Sequence, residues 1–152
     1  MAVTAVAYDY FKANITGGVS SGGTPIDWLS DTIKISLHTT TYSPNTATND
    51  FYDDVNNELA SGTGYTTGGE TLASKTTSTP TATVITYDCA DVTWTFTGAT
   101  RDFRYGVIYK STGSAATSPL MILIDFTGSG NLTAQVGTWT WVVNSSGLFT
   151  LT

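Results

Sequence analysis

The chain has 152 residues and a mass of 16.1 kDa, with 10 Asp and 2 Glu against 4 Lys and 2 Arg, for a net charge of −6. It carries 31 Thr and 14 Ser while only 12% of its residues are charged, against roughly 25% in an ordinary domain. This excludes coiled coils and helix bundles, which draw on Glu, Lys, Ala and Leu, and six cations without a basic run exclude a nucleic-acid groove.

In chain order, residues 1–16 form an N-terminal segment in which two periodicities compete. Val3, Val6, Tyr10 and Ile15 make a rough helical stripe, while Val6, Tyr8 and Tyr10 alternate as in a strand. A short helix stopped by Gly17 and Gly18 is the favoured reading. The segment has no cationic start, and Tyr8 and Asp9 break its apolar stretch, so no secretory signal is expected. Residues 17–25 read as a Gly-rich linker. Then the period becomes two: Ile33, Ile35 and Leu37 face one way and Lys34, Ser36 and His38 the other, which predicts a half-buried strand with His38 in solvent.

Residues 39–69 read as one long loop, with a helical turn near Phe51–Val55 and four glycines (62, 64, 68 and 69) around Tyr65. A connection this long inside a compact domain is more often functional than idle. From residue 70 the chain is strand and turn. Strands are predicted over Leu72–Thr77, Val84–Cys89, Val92–Phe96 and within Arg101–Lys110. Leu120–Phe126 is apolar on both faces and so is predicted to be a central strand. Trp139 and Trp141 share a core-facing side, and Phe149 and Leu151 close the chain. The expected fold is a single mainly all-β domain over residues 1–152, an antiparallel β-sandwich or small barrel with a short N-terminal helix.

The residues offer little chemistry. Cys89 stands alone, so there is no disulfide framework, and its phase with Ile85 and Tyr87 predicts a small buried side chain. His38 is the only histidine for any triad. Glu58 and Glu70 bracket the glycine-rich loop without a recognisable acid–base setting. Asn49, Asp50, Asp53 and Asp54 concentrate oxygens but lack calcium-loop spacing, so a solvated acidic turn is expected. The glycines are not followed by the Lys-Ser/Thr of a phosphate loop. No catalytic residue, cofactor or metal site is assigned. The longest apolar run, Leu120–Ile124, is too short to span a membrane as a helix. Aromatics remain: Trp28, Tyr42, Phe51, Tyr52 and Tyr65 are the candidate interface, with Trp28 and Tyr65 expected as exposed anchors for protein or sugar.

Several segments together carry a resemblance. They are Ile26–Leu37, Thr41–Asn45, Asn57–Leu59 with Gly62–Leu72, Asp91–Trp94, Ala99–Thr100 leading to Arg104–Tyr109, and Pro119–Leu120 with Ile124–Phe126. In this order the chain resembles a family of small virion structural proteins of tailed bacteriophages, from about residue 26 to its end. The resemblance implies a β-rich, non-enzymatic protein of the phage particle. The favoured role is a capsid decoration or cement protein on the outer head, bound to the major capsid protein. A neck, tail or fibre protein with a carbohydrate- or receptor-binding role is the alternative. A homo-oligomer, with a trimer favoured, is expected, made in the host cytoplasm and carried in the virion, with no nucleic-acid or membrane partner. The N-terminal segment and residues 39–69 are the expected contact regions.

Overall fold

The computed structural model describes residues 3–15 and 25–151; the expected stop at Gly17 and Gly18 and the linker up to residue 24 lie outside these. The fold is all-β with antiparallel pairing, as its alternating Thr/apolar segments require. The N-terminal ambiguity resolves into both elements in series: strand β1 (Thr4–Ala7), then helix α1 (Asp9–Asn14). The strands that follow are β2 (Ile33–His38), β3 (Glu70–Thr71), β4 (Thr76–Thr81), β5 (Val84–Asp88), β6 (Val92–Phe96) and β7 (Arg101–Phe103). The C-terminal third adds β8 (Tyr105–Lys110), β9 (Leu120–Asp125), β10 (Leu132–Ala134), β11 (Gly137–Trp141) and β12 (Phe149–Leu151).

Five strands make the main sheet, in the order β1-β9-β8-β2-β3. Three smaller pairings complete the fold: β10-β7, β11-β6 and β12-β5-β4. Register fixes the two faces of the main sheet, because directly paired residues share a face. Ile35 opposes Ile108, Leu37 opposes Gly106, and Gly106 opposes Ile124, so these line one face. That face meets the smaller sheets through Phe126, whose ring lies edge-on to Phe103 at 5.9 Å and to Trp139 at 5.4 Å. Gly106 sits tightly here, since a Cβ would lie 3.0 Å from Ile35 Cδ1 and Phe126 Cζ and those side chains would have to shift. A second aromatic knot gathers on Phe149, stacked on Tyr87 at 4.5 Å and edge-on to Trp28 and Phe11.

β9 is buried on both faces and central, as its unbroken apolar run requires. β2 departs from expectation. Its Ser36 and His38 are fully buried, because the 39–69 loop folds over the face that alternation had assigned to water. The predicted strand at Leu72–Thr77 is also displaced. The chain pairs at Glu70–Thr71, turns through Ser74 at φ 50°, and pairs again from Thr76. β10 carried no recognisable signal in its three residues. Among the described residues no helix is long and apolar enough to cross a membrane.

Candidate functional site

The long loop is built as a substitute strand along the open edge of β2. Leu59 N–H donates to the Leu37 carbonyl (2.9 Å), Thr39 N–H donates to the Asn57 carbonyl (3.1 Å), and His38 bridges Glu58. Where a backbone carbonyl would be expected opposite Leu37 N–H, the Tyr65 hydroxyl accepts instead, at 3.0 Å. That hydroxyl in turn donates to Glu58 Oε1 (2.7 Å), which also accepts Gly68 N–H (2.6 Å). Tyr109 extends the chain of bonds by donating to the Gly68 carbonyl at 2.8 Å.

Two glycines let this loop lie directly on the strands beneath it. A Cβ on Gly69 would sit 1.9 Å from the Ile35 carbonyl oxygen, and one on Gly64 1.9 Å from that of Thr95. Both adopt positive φ, 67° and 87°. Arg101 fastens the turn just before Gly64 by donating to Thr63 Oγ1 and the Ala60 carbonyl. Residues 57–69 therefore wedge between β2 and β6 and join the main sheet to the β6–β11 pair.

This geometry corrects the expected exposed anchors. Tyr65, Tyr42 and Trp28 are all buried. Trp28 is drawn inward by a turn in which Asp27 Oδ1 accepts Leu29 and Ser30 N–H, and its indole N–H donates to the Thr76 carbonyl (3.1 Å). The Tyr42 hydroxyl meets that of Tyr8 at 3.0 Å, and its ring lies edge-on to Tyr105. A sugar platform of Trp28, Tyr42 and Tyr65 is thus not available at this surface. Tyr52 is half-buried and stacked on Tyr109 at 4.0 Å, and Phe51 packs on Tyr10 at 4.9 Å. With Asp9 N–H donating to the Thr46 carbonyl (2.9 Å), α1 and the loop form one continuous surface. The two expected contact regions are therefore neighbours.

His38 is likewise corrected from solvated to sealed. Its Nδ1 lies 2.9 Å from the Asn56 carbonyl, which can only accept, so Nδ1 carries the proton and Nε2 accepts from Ser36 Oγ at 2.8 Å. The distances are those of a nucleophile and its base. Yet both side chains have zero exposure, so no substrate carbonyl reaches them, and the pair serves to satisfy two buried polar groups. Burial lowers the His38 pKa, against the opposing pull of the Asn56 hydrogen bond and the nearby Glu58 charge.

Above the unfolded value of about 6.5, both states are neutral and nothing changes; below it the unfolded chain takes up a proton that folded His38 refuses. Stability is expected to fall between pH 7 and 5 by at most about 1.4 kcal/mol per pH unit. Urea titrations at pH 7.5 and 5.0 check this, and His38→Gln is expected to flatten the slope. An unchanged slope in that variant would place the titration elsewhere. At the alkaline end, burial raises Tyr8, Tyr52, Tyr65 and Tyr109, so stability is lost as pH climbs past about 10.

The remaining candidates have structural roles. In the acidic turn Asp54 Oδ2 accepts Asp50 and Phe51 N–H, and Asn49 Oδ1 accepts Asn45 N–H. Among the described residues no group of His, Cys, Asp or Glu is arranged to hold a metal ion. Glu70 opposes Ile35 on β3. Cys89 is buried as its phase predicted, and burial beside Asp88 and Asp91 pushes its thiol up to about 12. A thiol-specific disulfide reagent is expected to leave it unmodified in the native protein and to titrate one thiol in urea; fast native labelling would contradict this.

Sequence reasoning missed one feature, an uncharged groove of about 570 Å³. Ile124, Phe126 and Leu132 line it with Trp139 and Trp141, and Val3 and Val142 stand among its lining residues. It combines residues from five separate segments, so no local pattern announced it. No family model matches the chain, and neither does any curated protein or solved structure.

Proposed function

We propose that the chain is a structural protein of a tailed-phage particle without catalytic activity, acting as a decoration or cement protein on the outer head and binding the major capsid protein. The observation that carries this reading is the run Asn57–Leu72. The residues of its family-like pattern are the ones that shape the loop here: Glu58 and Tyr65 through hydrogen bonds, Gly64 and Gly69 through close backbone approach. A resemblance concentrated in fold-making residues supports a shared architecture. The surface made by α1 and the 39–69 loop is the candidate contact with the capsid, and Phe51 and Tyr52 are its aromatic members.

The chemistry of the chain agrees with a binding role. The one Ser–His pair is closed to solvent, and a net charge of −6 limits non-specific association. Placement in the neck, tail or a fibre is the alternative within the same class. Mass spectrometry of purified particles of the phage encoding this chain separates them. Hundreds of copies per particle are expected for a head coat, while one or two rings' worth would move the protein to the neck or tail. Absence from the particle would overturn the virion reading.

A further inference from the structure

We infer that the outer edge of β1 is a self-association surface, at which two copies of the chain pair their β1 strands antiparallel about a two-fold axis passing beside Ala5. The inference is independent of the virion reading.

Among the described residues β1 is the end strand of the main sheet, and its hydrogen-bonding parity is fixed. Tyr8 N–H donates to the Met121 carbonyl, and the register Thr4↔Asp125, Val6↔Leu123 runs in step with that bond. In an antiparallel ladder the bonded pairs alternate, so Thr4 and Val6 spend their main-chain groups on β9. Ala5 and Ala7 turn theirs outward.

An edge of this kind templates another strand unless something blunts it. The opposite edge of the same sheet is blunted: β3 has two residues, one of them Glu70. β4, an edge of its own sheet, carries Pro80 and a register shift between Ser78 and Thr81. β1 has no charge, no proline and no bulge, and it exposes apolar side chains, with Val3 55% and Val6 46% accessible.

The occupant is a second copy because the edge complements itself in shape and in charge. With Ala5 opposite Ala5 of the other copy, Val3 falls opposite Ala7 and Val6 opposite Thr4. The outward groups of residues 3, 5 and 7 then meet one another in bonded pairs, and small residues sit at the axis. Residues 3–8 carry no charge in a chain of net charge −6. The nearest carboxylate on the adjoining strand, Asp125, is held by Arg104 at 2.6 Å. Two acidic molecules can therefore meet along this strip without opposing like charges. Pairing joins two five-stranded sheets into one of ten, and it brings the second copy against Val3 and the open side of the groove that Val3 and Ala5 line. Such a contact is isologous and closes at two copies, where the resemblance implied a trimer.

The test is sedimentation velocity of the full chain over a wide concentration range, with two variants. Wild type is expected at twice 16.1 kDa. Ala5→Pro removes only an outward N–H, which edge strands tolerate, and is expected to sediment as a monomer with unchanged far-UV circular dichroism. Ala5→Cys reads the register without relying on that fold. Bonded partners lie about 5.5 Å apart at Cα, within disulfide reach, so mild oxidation is expected to link two chains, whereas Thr4→Cys, whose partner is Val6, is expected to stay unlinked. A monomeric or trimeric wild type overturns the proposal, as does an Ala5→Cys protein that fails to cross-link.

Discussion

Gly69→Ala is expected to lower stability by about 3–5 kcal/mol, a large part of what a domain of this size holds. The new Cβ would lie 1.9 Å from the Ile35 carbonyl oxygen and 2.6 Å from Ser36 Cα, both backbone atoms of a central region. Neither can step aside without lifting residues 57–69 from the edge of β2. Positive φ alone contributes only about 1 kcal/mol of this. Gly98→Ala isolates that share, since Gly98 has φ 76° and nothing within 4 Å of its added carbon. Urea midpoints for the two variants should differ at least two-fold in the stability lost. Equal losses would mean that the loop does not lie against β2 as described.

Glu58→Ala and Tyr65→Phe make the second large expectation. The first leaves the Tyr65 hydroxyl and Gly68 N–H without their acceptor, and the second leaves Leu37 N–H without its own. Each is expected to cost about 2 kcal/mol, the usual penalty for stranding a buried donor. Because both belong to one chain of hydrogen bonds, the double variant should lose well under the sum of the singles. A coupling of about 1–2 kcal/mol is expected by equilibrium unfolding. Additivity to within about 0.5 kcal/mol would show that the two side chains act separately.

How much of this was legible depended on where the constraint sat. Val92, Trp94 and Phe96 alternate with threonines, and the structure buries those three and exposes the threonines between them. Leu120–Ile124 could be recognised as central because both of its faces are apolar. The alternation of β2 was equally clear and yet misleading. Ser36 and His38 look like water-facing residues until a partner elsewhere in the chain satisfies them, and Asn56 is 18 residues beyond His38. Trp28, Tyr42 and Tyr65 failed as surface anchors for a related reason. Loop position suggests exposure, but each of these rings is claimed by a distant atom: the Thr76 carbonyl, the Tyr8 hydroxyl and Leu37 N–H. The four-glycine pattern around Tyr65 did signal a loop of defined shape. What it held in place was visible only once the strands beneath it were known.

The pairing of β1 with β9 has a consequence for the birth of the molecule. Thr4 leaves the ribosome long before its partner Asp125 is made. At about 5–20 residues per second the interval between residues 4 and 125 is roughly 6–24 s, far longer than a hairpin takes to close. During that time the first strand has no native neighbour within its own chain. The strand pair β1–β9 is therefore closed only after the C-terminal third has been made, whereas β2 meets β3 much sooner.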